Sequence, residues 1–413
     1  MTPQPDTSSD TWIVDSHSLG TALTQTPCPD SRVRPAEPAP CQRPVAVTFS
    51  GGGFRATLPA LGVVRLLADL GRLADLRYLS SVSGGSVALG LVGAAWPELR
   101  RRSFTAQAVD ELVIEPAVRR ISGSSLKRSL VLGSWRTVGP LTRTELLARR
   151  FDDWFFGGLE LTALDPEVRW ILNSANLASG ARFRMERDVL GDYTIGLIPT
   201  AETELRLSLA VAASAAVPGA FAPVKLKGLD FPCATDDPAL LDGGAYDNTG
   251  LQALDGDRYR EAFLVSLNAG GLLRPGAYGR IPLVRELARA NSLLYRQSTA
   301  LRTSSMVERF ERGAEVPTGE PLPKGARRGV LFALATNFPE TGRFAPTGWR
   351  EAHAELRSYD GKDLALYPTV FDRLDLRLCR TLVYRGWWLA GAAFASRAPD
   401  QVPDPRLLKP PEV

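Results

Sequence analysis

The chain has 413 residues, 44% of them hydrophobic, and its 49 basic and 45 acidic side chains give a formal charge of +4. That is enough apolar material for one large core, and so mixed a charge lacks the basic excess of a nucleic-acid-binding protein. Four scattered cysteines, Cys28, Cys41, Cys233 and Cys379, show neither C-x-x-C metal spacing nor the density of a disulfide scaffold, so a reducing, cytoplasmic setting without a bound metal is expected.

The opening MTPQPDTSSDTW has neither the basic start nor the apolar run of a signal peptide, and no stretch reaches the ~20 apolar residues of a membrane span. Residues 1 to about 40, rich in Pro, Ser, Thr and Asp, bury too little to order themselves and read as a disordered tail. The folded part then starts near Gln42. Pro44 to Phe49 is a short β-branched run that predicts a buried strand stopping at Ser50-Gly51-Gly52-Gly53. Leucines and valines at helical spacing follow as far as Gly71. Leu76 to Val82 predicts a second strand, then Ser83-Gly84-Gly85, then the small-residue helix SVALGLVGAAW. Strand, glycine turn, helix, repeated, implies parallel strands with right-handed crossovers. Both glycine turns then fall at the C-terminal strand edge, where open α/β sheets bind ligands. Arg169 to Ala175 and Tyr259 to Leu267 supply further strands, Leu209 to Val224 reads as a buried segment, and the chain from about 280 reads as helix-rich, with Leu382 to Ala395 packing on the core.

Three of these turns carry chemistry. Ser81-Val82-Ser83-Gly84-Gly85 resembles the G-x-S-x-G nucleophile elbow, with Ser81 in place of the first glycine. Gly51, Gly52 and Gly53 offer consecutive backbone N–H groups at a helix N-terminus, a nest able to hold an oxyanion; Phe54-Arg55-Ala56 lacks the Gly-Lys-Ser/Thr ending of a phosphate loop. Arg55 either braces this loop or meets an anionic substrate group. A serine nucleophile needs a base, and only two histidines exist. His17 lies in the disordered-looking opening and His353 in WREAHAEL, a polar helical stretch where a solvent-facing position is expected. A carboxylate on a turn could instead accept the proton directly. Asp242, beside Gly243 and Gly244, is favoured over its neighbour Asp247 because the glycines allow close approach.

Four blocks in order, SGGGFRA, SVSGGS, ASAAVPGAFAPV and DGGAYDNTGL, over Val45 to Leu251, resemble the patatin-like phospholipase family, which is related to the catalytic domain of cytosolic phospholipase A2. ILNSANLASGARFRMERDVLGDY also resembles bacterial members. The resemblance implies a three-layer α/β/α fold with a central mostly parallel sheet. It implies one catalytic domain over 41–400, with core motifs at 45–251, a helix-rich part at 280–400 and a flexible tail at 401–413. It also implies a Ser83–Asp242 dyad working through an acyl-enzyme, an oxyanion hole at Gly51 to Gly53, Arg55 near a head-group phosphate, and no cofactor. The substrate would be a phospholipid or another fatty-acyl ester; a neutral-lipid lipase or acyltransferase using the same acyl-enzyme, or a non-catalytic lipid-binding protein, are the alternatives. No calcium-binding membrane-targeting domain is expected. Peripheral membrane contact, if made, would use Arg100 to Arg102, Lys127-Arg128, Arg149-Arg150 or Trp154-Phe155-Phe156.

Overall fold

A computed structural model describes residues 27–125, 142–271, 284–356, 358–359 and 362–413. Ten strands form one sheet: β1 (Val45–Phe49), β2 (Leu76–Val82), β3 (Arg169–Asn176), β4 (Ala181–Met185), β5 (Val189–Asp192), β6 (Gly196–Pro199), β7 (Val224–Lys225), β8 (Ala239–Asp242), β9 (Phe263–Asn268) and β10 (Gly329–Ala333). The sheet order is β10-β9-β1-β2-β3-β4-β5-β6. Pairing is parallel from β10 across to β3 and antiparallel from β3 to β6. The expected α/β/α sandwich is therefore present, with the parallel half carrying both glycine turns.

The layers follow from the two faces of β1. Val45, Val47 and Phe49 join the larger core with helix α1 (Phe54–Asp69), helix α2 (Gly84–Arg101) and the helix Leu376–Arg397, whereas Ala46 points to a smaller core holding Leu251, Leu254, Tyr259 and Met306. Alternate side chains of a strand face opposite ways, so a strand covered on both sides reads as a continuous apolar run. Helix α1 is buried from Phe54 to Leu67 because the sheet and the helix Leu376–Arg397 cover it from two sides. That crossing needs Gly62 and Gly386: a Cβ at either would stand 2.0 Å from a carbonyl oxygen of the other helix.

Several expectations are corrected. The strand expected at Tyr259 to Leu267 runs over Phe263–Asn268, with one 3-10 turn at Asp257–Tyr259 before it. The region beyond 280 also contributes β10, an outer strand of the sheet. Strand β4 was hidden by charge: Arg182 and Arg184 within it and Glu186 just after it look like surface residues, yet all three are buried. They are satisfied internally, Glu186 by Arg169 at 2.6 Å and Arg184 at 3.6 Å, and Arg182 by the Asn173 side chain at 2.8 Å. His353 is buried rather than solvent-facing; its ring lies against Trp349 and Trp387, and Nε2 is 2.9 Å from the Pro405 carbonyl. The last residues are tied down as well, since Arg65 donates to the Lys409 carbonyl at 3.2 Å and Arg380 pairs with Glu412.

Most of the N-terminal tail, residues 1–26 with His17, lies outside the described residues. From position 27 the chain is docked on the antiparallel half of the sheet. Cys28 forms a disulfide with Cys233, and Arg32 bonds Glu202. Cys41 and Cys379 are free thiols. The cysteines, too sparse for a disulfide scaffold, thus include one bonded pair whose partners lie 205 positions apart and meet only through the fold. Closing so long a loop restricts the unfolded chain, so Cys28→Ser is expected to lower the unfolding free energy in urea by about 2–4 kcal/mol. Reduction of the wild type should give the same loss, and an unchanged midpoint would show that the bond is absent.

Candidate active site

The sheet register brings the two acid–base candidates together. Along one edge of β3, Val82 of β2 is opposite Asn173, and at the next position Asp242 of β8 is opposite Ser174. Strand β8 therefore continues the line of β2 from the other direction. The turn that follows Val82 meets the end of β8, and Ser83 meets Asp242. The Ser83 hydroxyl faces the Asp242 carboxylate closely enough to favour its charged form.

Ser83 has φ 53° and ψ −117°, a conformation that costs a non-glycine residue about 1–3 kcal/mol. Its neighbours explain how it is held. Gly84 is required by close approach, since a Cβ there would lie 2.0 Å from the Gly53 carbonyl oxygen of the other glycine turn. Behind the elbow runs a buried serine chain: Ser81 Oγ to Ser86 Oγ at 3.0 Å, Ser86 Oγ to Ser214 Oγ at 2.8 Å, and Ser214 Oγ donating to the Asn173 carbonyl at 2.6 Å. The Ser83 N–H donates to Ser214 Oγ at 3.0 Å. Ser81, which departs from the elbow motif, is thus a member of the scaffold that fixes the turn. Ser214 belongs to the ASAAVPGAF block and comes from the helix Leu207–Ser214, whose following residues also hold the acid: Asp242 N–H donates to Ala216 O at 3.0 Å, and Gly243 N–H to Ser214 O at 3.2 Å.

Asp242 is 5% exposed and accepts a 2.8 Å bond from the Gly244 N–H. Burial pushes its carboxyl up to about 6, against the opposing effect of the Ser83 and Gly244 hydrogen bonds. Asp247 is placed differently. Its carboxylate accepts from Thr249 N–H and Oγ1 at 2.9 and 2.6 Å and from Gln252 N–H at 2.9 Å, with Arg302 at 3.7 Å, which makes it the brace of the following loop.

The glycine loop is only partly available as a donor set. The Gly51 N–H is already donated to the Asn248 carbonyl at 3.0 Å, and the Phe54 N–H to Val370 O at 3.0 Å. Among the described residues, the N–H groups of Gly52, Gly53 and Gly84 have no acceptor. The expected three-glycine set is therefore narrowed by one and joined by the amide that follows Ser83, which starts α2 and so points its dipole at the serine. Arg55 is 2% exposed, and its guanidinium donates to the carbonyls of Tyr367 and Ala269 and to Thr369 Oγ1. Of its two possible uses, bracing is the one these bonds describe; burial also lowers its pKa to about 10.

These groups open on a cavity of about 820 Å³ lined by Gly51, Gly52, Ser83, Asp242, Asn248 and Asn268, among others. Its far wall is one side of the helix Val284–Ala314, which supplies Ser292, Arg296, Thr299 and Thr303. No histidine among the described residues lines it. Among the described residues no group of His, Cys, Asp and Glu could hold a metal. Sequence reasoning missed Ser214, Asn248 and the cavity face of this helix. The first two stood inside the ASAAVPGAF and DGGAYDNTGL blocks; the helix carries no motif and shows its role only by position.

Comparison with known proteins bears on the family of this chain. Residues 47–255, just over half of the chain, match the family model described as patatin-like phospholipase. Among curated proteins, none is similar enough in sequence to match. Of solved structures, human GIVD cytosolic phospholipase A2 is 13% identical with a TM-score of 0.49, the match covering 86% of this chain and 59% of that one. The same human enzyme in complex with methyl γ-linolenyl fluorophosphonate is 14% identical with a TM-score of 0.48, covering 87% and 59%. VipD from Legionella pneumophila is 14% identical with a TM-score of 0.30, covering 74% and 64%. The chain thus spans about three fifths of the human structures it matches.

Proposed function

The chain belongs to the patatin-like phospholipase family, and on that premise we propose that it is a lipid acyl hydrolase in which Ser83 is the nucleophile and Asp242 the base. The observation that carries this reading is the placement of the Ser83 side chain against a buried carboxylate, both at the wall of a large cavity. As Ser83 Oγ attacks the ester carbonyl carbon, its proton passes to Asp242, and the carbonyl oxygen becomes an oxyanion held by the amides of Gly52, Gly53 and Gly84. Collapse breaks the bond to the alcohol oxygen, which leaves with the proton from Asp242, and the acyl group stays on Ser83. Water then attacks the acyl-enzyme, Asp242 takes its proton, and the fatty acid departs as the proton returns to Ser83 Oγ. No cofactor takes part. Arg55 acts on this chemistry through the loop it braces rather than through the substrate.

A phospholipid or other fatty-acyl ester is the proposed substrate. The proposed place of peripheral membrane contact shifts from the expected clusters. Arg100, Arg101, Arg102 and Arg150 are ion-paired while Arg149 is exposed, Trp154 and Phe155 pack against the core, Phe156 is buried within it, and Lys127-Arg128 lies outside the described residues. Leu293, Leu294 and Leu301, exposed on the helix that walls the cavity, are the better candidates. No helix among the described residues is long and apolar enough to cross a membrane. Of the grounds for the cytoplasmic expectation, the Cys28–Cys233 bond removes the one drawn from the cysteines and leaves those drawn from the absence of a signal-peptide pattern and of a long apolar run. Incubation with mixed phospholipid vesicles and mass analysis of the products tests the activity. Free fatty acid with the wild type and none with Ser83→Ala is expected; equal yields from both, or none from the wild type, would contradict it.

A further inference from the structure

We propose that Arg296 recognises a phosphate carried by the substrate and sets a preference for phosphate-bearing acyl esters over neutral ones, an inference that rests on the hydrolase reading above. Three charged side chains among the described residues line the cavity, Arg55, Asp242 and Arg296. Asp242 is the buried acid beside Ser83, and Arg55 is buried with its N–H groups on two carbonyls and a threonine hydroxyl. Arg296 is exposed, and no ion pair or hydrogen bond among the described residues engages it. A guanidinium matches phosphate oxygens in a two-point fork.

Its position fits that use. Ser292, Arg296, Thr299 and Thr303 recur at spacings of four, three and four, so they form one stripe of the helix Val284–Ala314, and all four line the cavity. The deep end of the stripe is fixed beside the acid turn, because Arg302 lies 3.7 Å from Asp247, five positions after Asp242. Arg296 is seven residues nearer the helix start than Thr303, about 10 Å along the axis at 1.5 Å per residue. An ester at Ser83 thus has hydroxyl-bearing side chains along the wall between it and a cation at the mouth. A glycerol backbone with a terminal phosphate has its polar groups in that order, whereas a monoacylglycerol offers Arg296 nothing to neutralise.

The test compares kcat/KM for a short-chain 1-acyl-glycerol 3-phosphate with that for the matching 1-acyl-glycerol, both below their micelle concentrations. Wild type, Arg296→Gln and Arg296→Lys are measured as full chains. The ratio of the two values is expected to fall about 10–100-fold in Arg296→Gln, the range for a lost bond to a charged group, and to recover in part in Arg296→Lys. A ratio that is the same in all three proteins overturns the proposal. If the wild type cleaves neither ester, the hydrolase reading fails separately, and calorimetric binding of the phosphate ester still decides the role of Arg296. Affinity at least tenfold weaker in Arg296→Gln supports it, and equal affinity, or none in the wild type, overturns it.

Discussion

Asp242→Asn is expected to lower ester hydrolysis by about 10²–10⁴-fold, the contribution of a positioned general base, while making the protein more stable at neutral pH. The two effects have one cause. The carboxyl titrates near 6 in the folded chain because burial disfavours its charged form, against about 3.9 in an unfolded one. A raised acid binds its proton more tightly when folded, so the folded state is favoured below pH 4 and penalised as pH rises through 6. Two units correspond to a penalty of about 3 kcal/mol at pH 7, reached in full above the folded value. Asparagine has no charge to bury and can still accept from the Gly244 N–H. The variant should therefore unfold at higher urea than the wild type at pH 7, and the gap should close by pH 4. A variant that is inactive and less stable at both pH values would mean that Asp242 holds the fold and not the reaction.

The second large effect is on the pH profile of the wild type. With Asp242 required as the anion, kcat/KM should fall tenfold per unit below about pH 6, reaching roughly 100-fold down at pH 4. An exposed carboxylate as base would leave the profile level to about pH 4. Loss of fold does not mimic this result through Asp242, since protonating that group favours the folded state; circular dichroism at each pH checks the remaining groups. A limb that breaks near 4 would contradict the burial argument.

How much of this was legible in the sequence depended on how locally each feature is encoded. The turns that carry Ser83 and Asp242 were readable because a strained turn and a close backbone approach demand glycine, and Gly84, Gly85, Gly243 and Gly244 stand in them. Strand β1 was readable because burial on both faces leaves a largely apolar run, and β2 because it leads into the Ser83-Gly84-Gly85 turn. Features made by distant partners were not. Ser81 looked like a defect in a motif, and only the chain through Ser86 and Ser214 gives it a use. Arg182, Arg184 and Glu186 disguised strand β4 because each charge is neutralised or bonded inside the fold. Gly51 looked equivalent to Gly52 and Gly53 until the Asn248 carbonyl, nearly 200 positions away, was found on its amide. Cys28 and Cys233 could not be paired by spacing for the same reason.

The meeting of Ser83 with Asp242 is tested most directly by the rate at which a fluorophosphonate labels the intact protein, with the modified peptide identified by mass spectrometry. The account predicts label on Ser83 alone, absent in Ser83→Ala and formed at least 100-fold more slowly in Asp242→Asn. Label on another residue, or an Asp242→Asn protein that reacts as fast as the wild type, would contradict it.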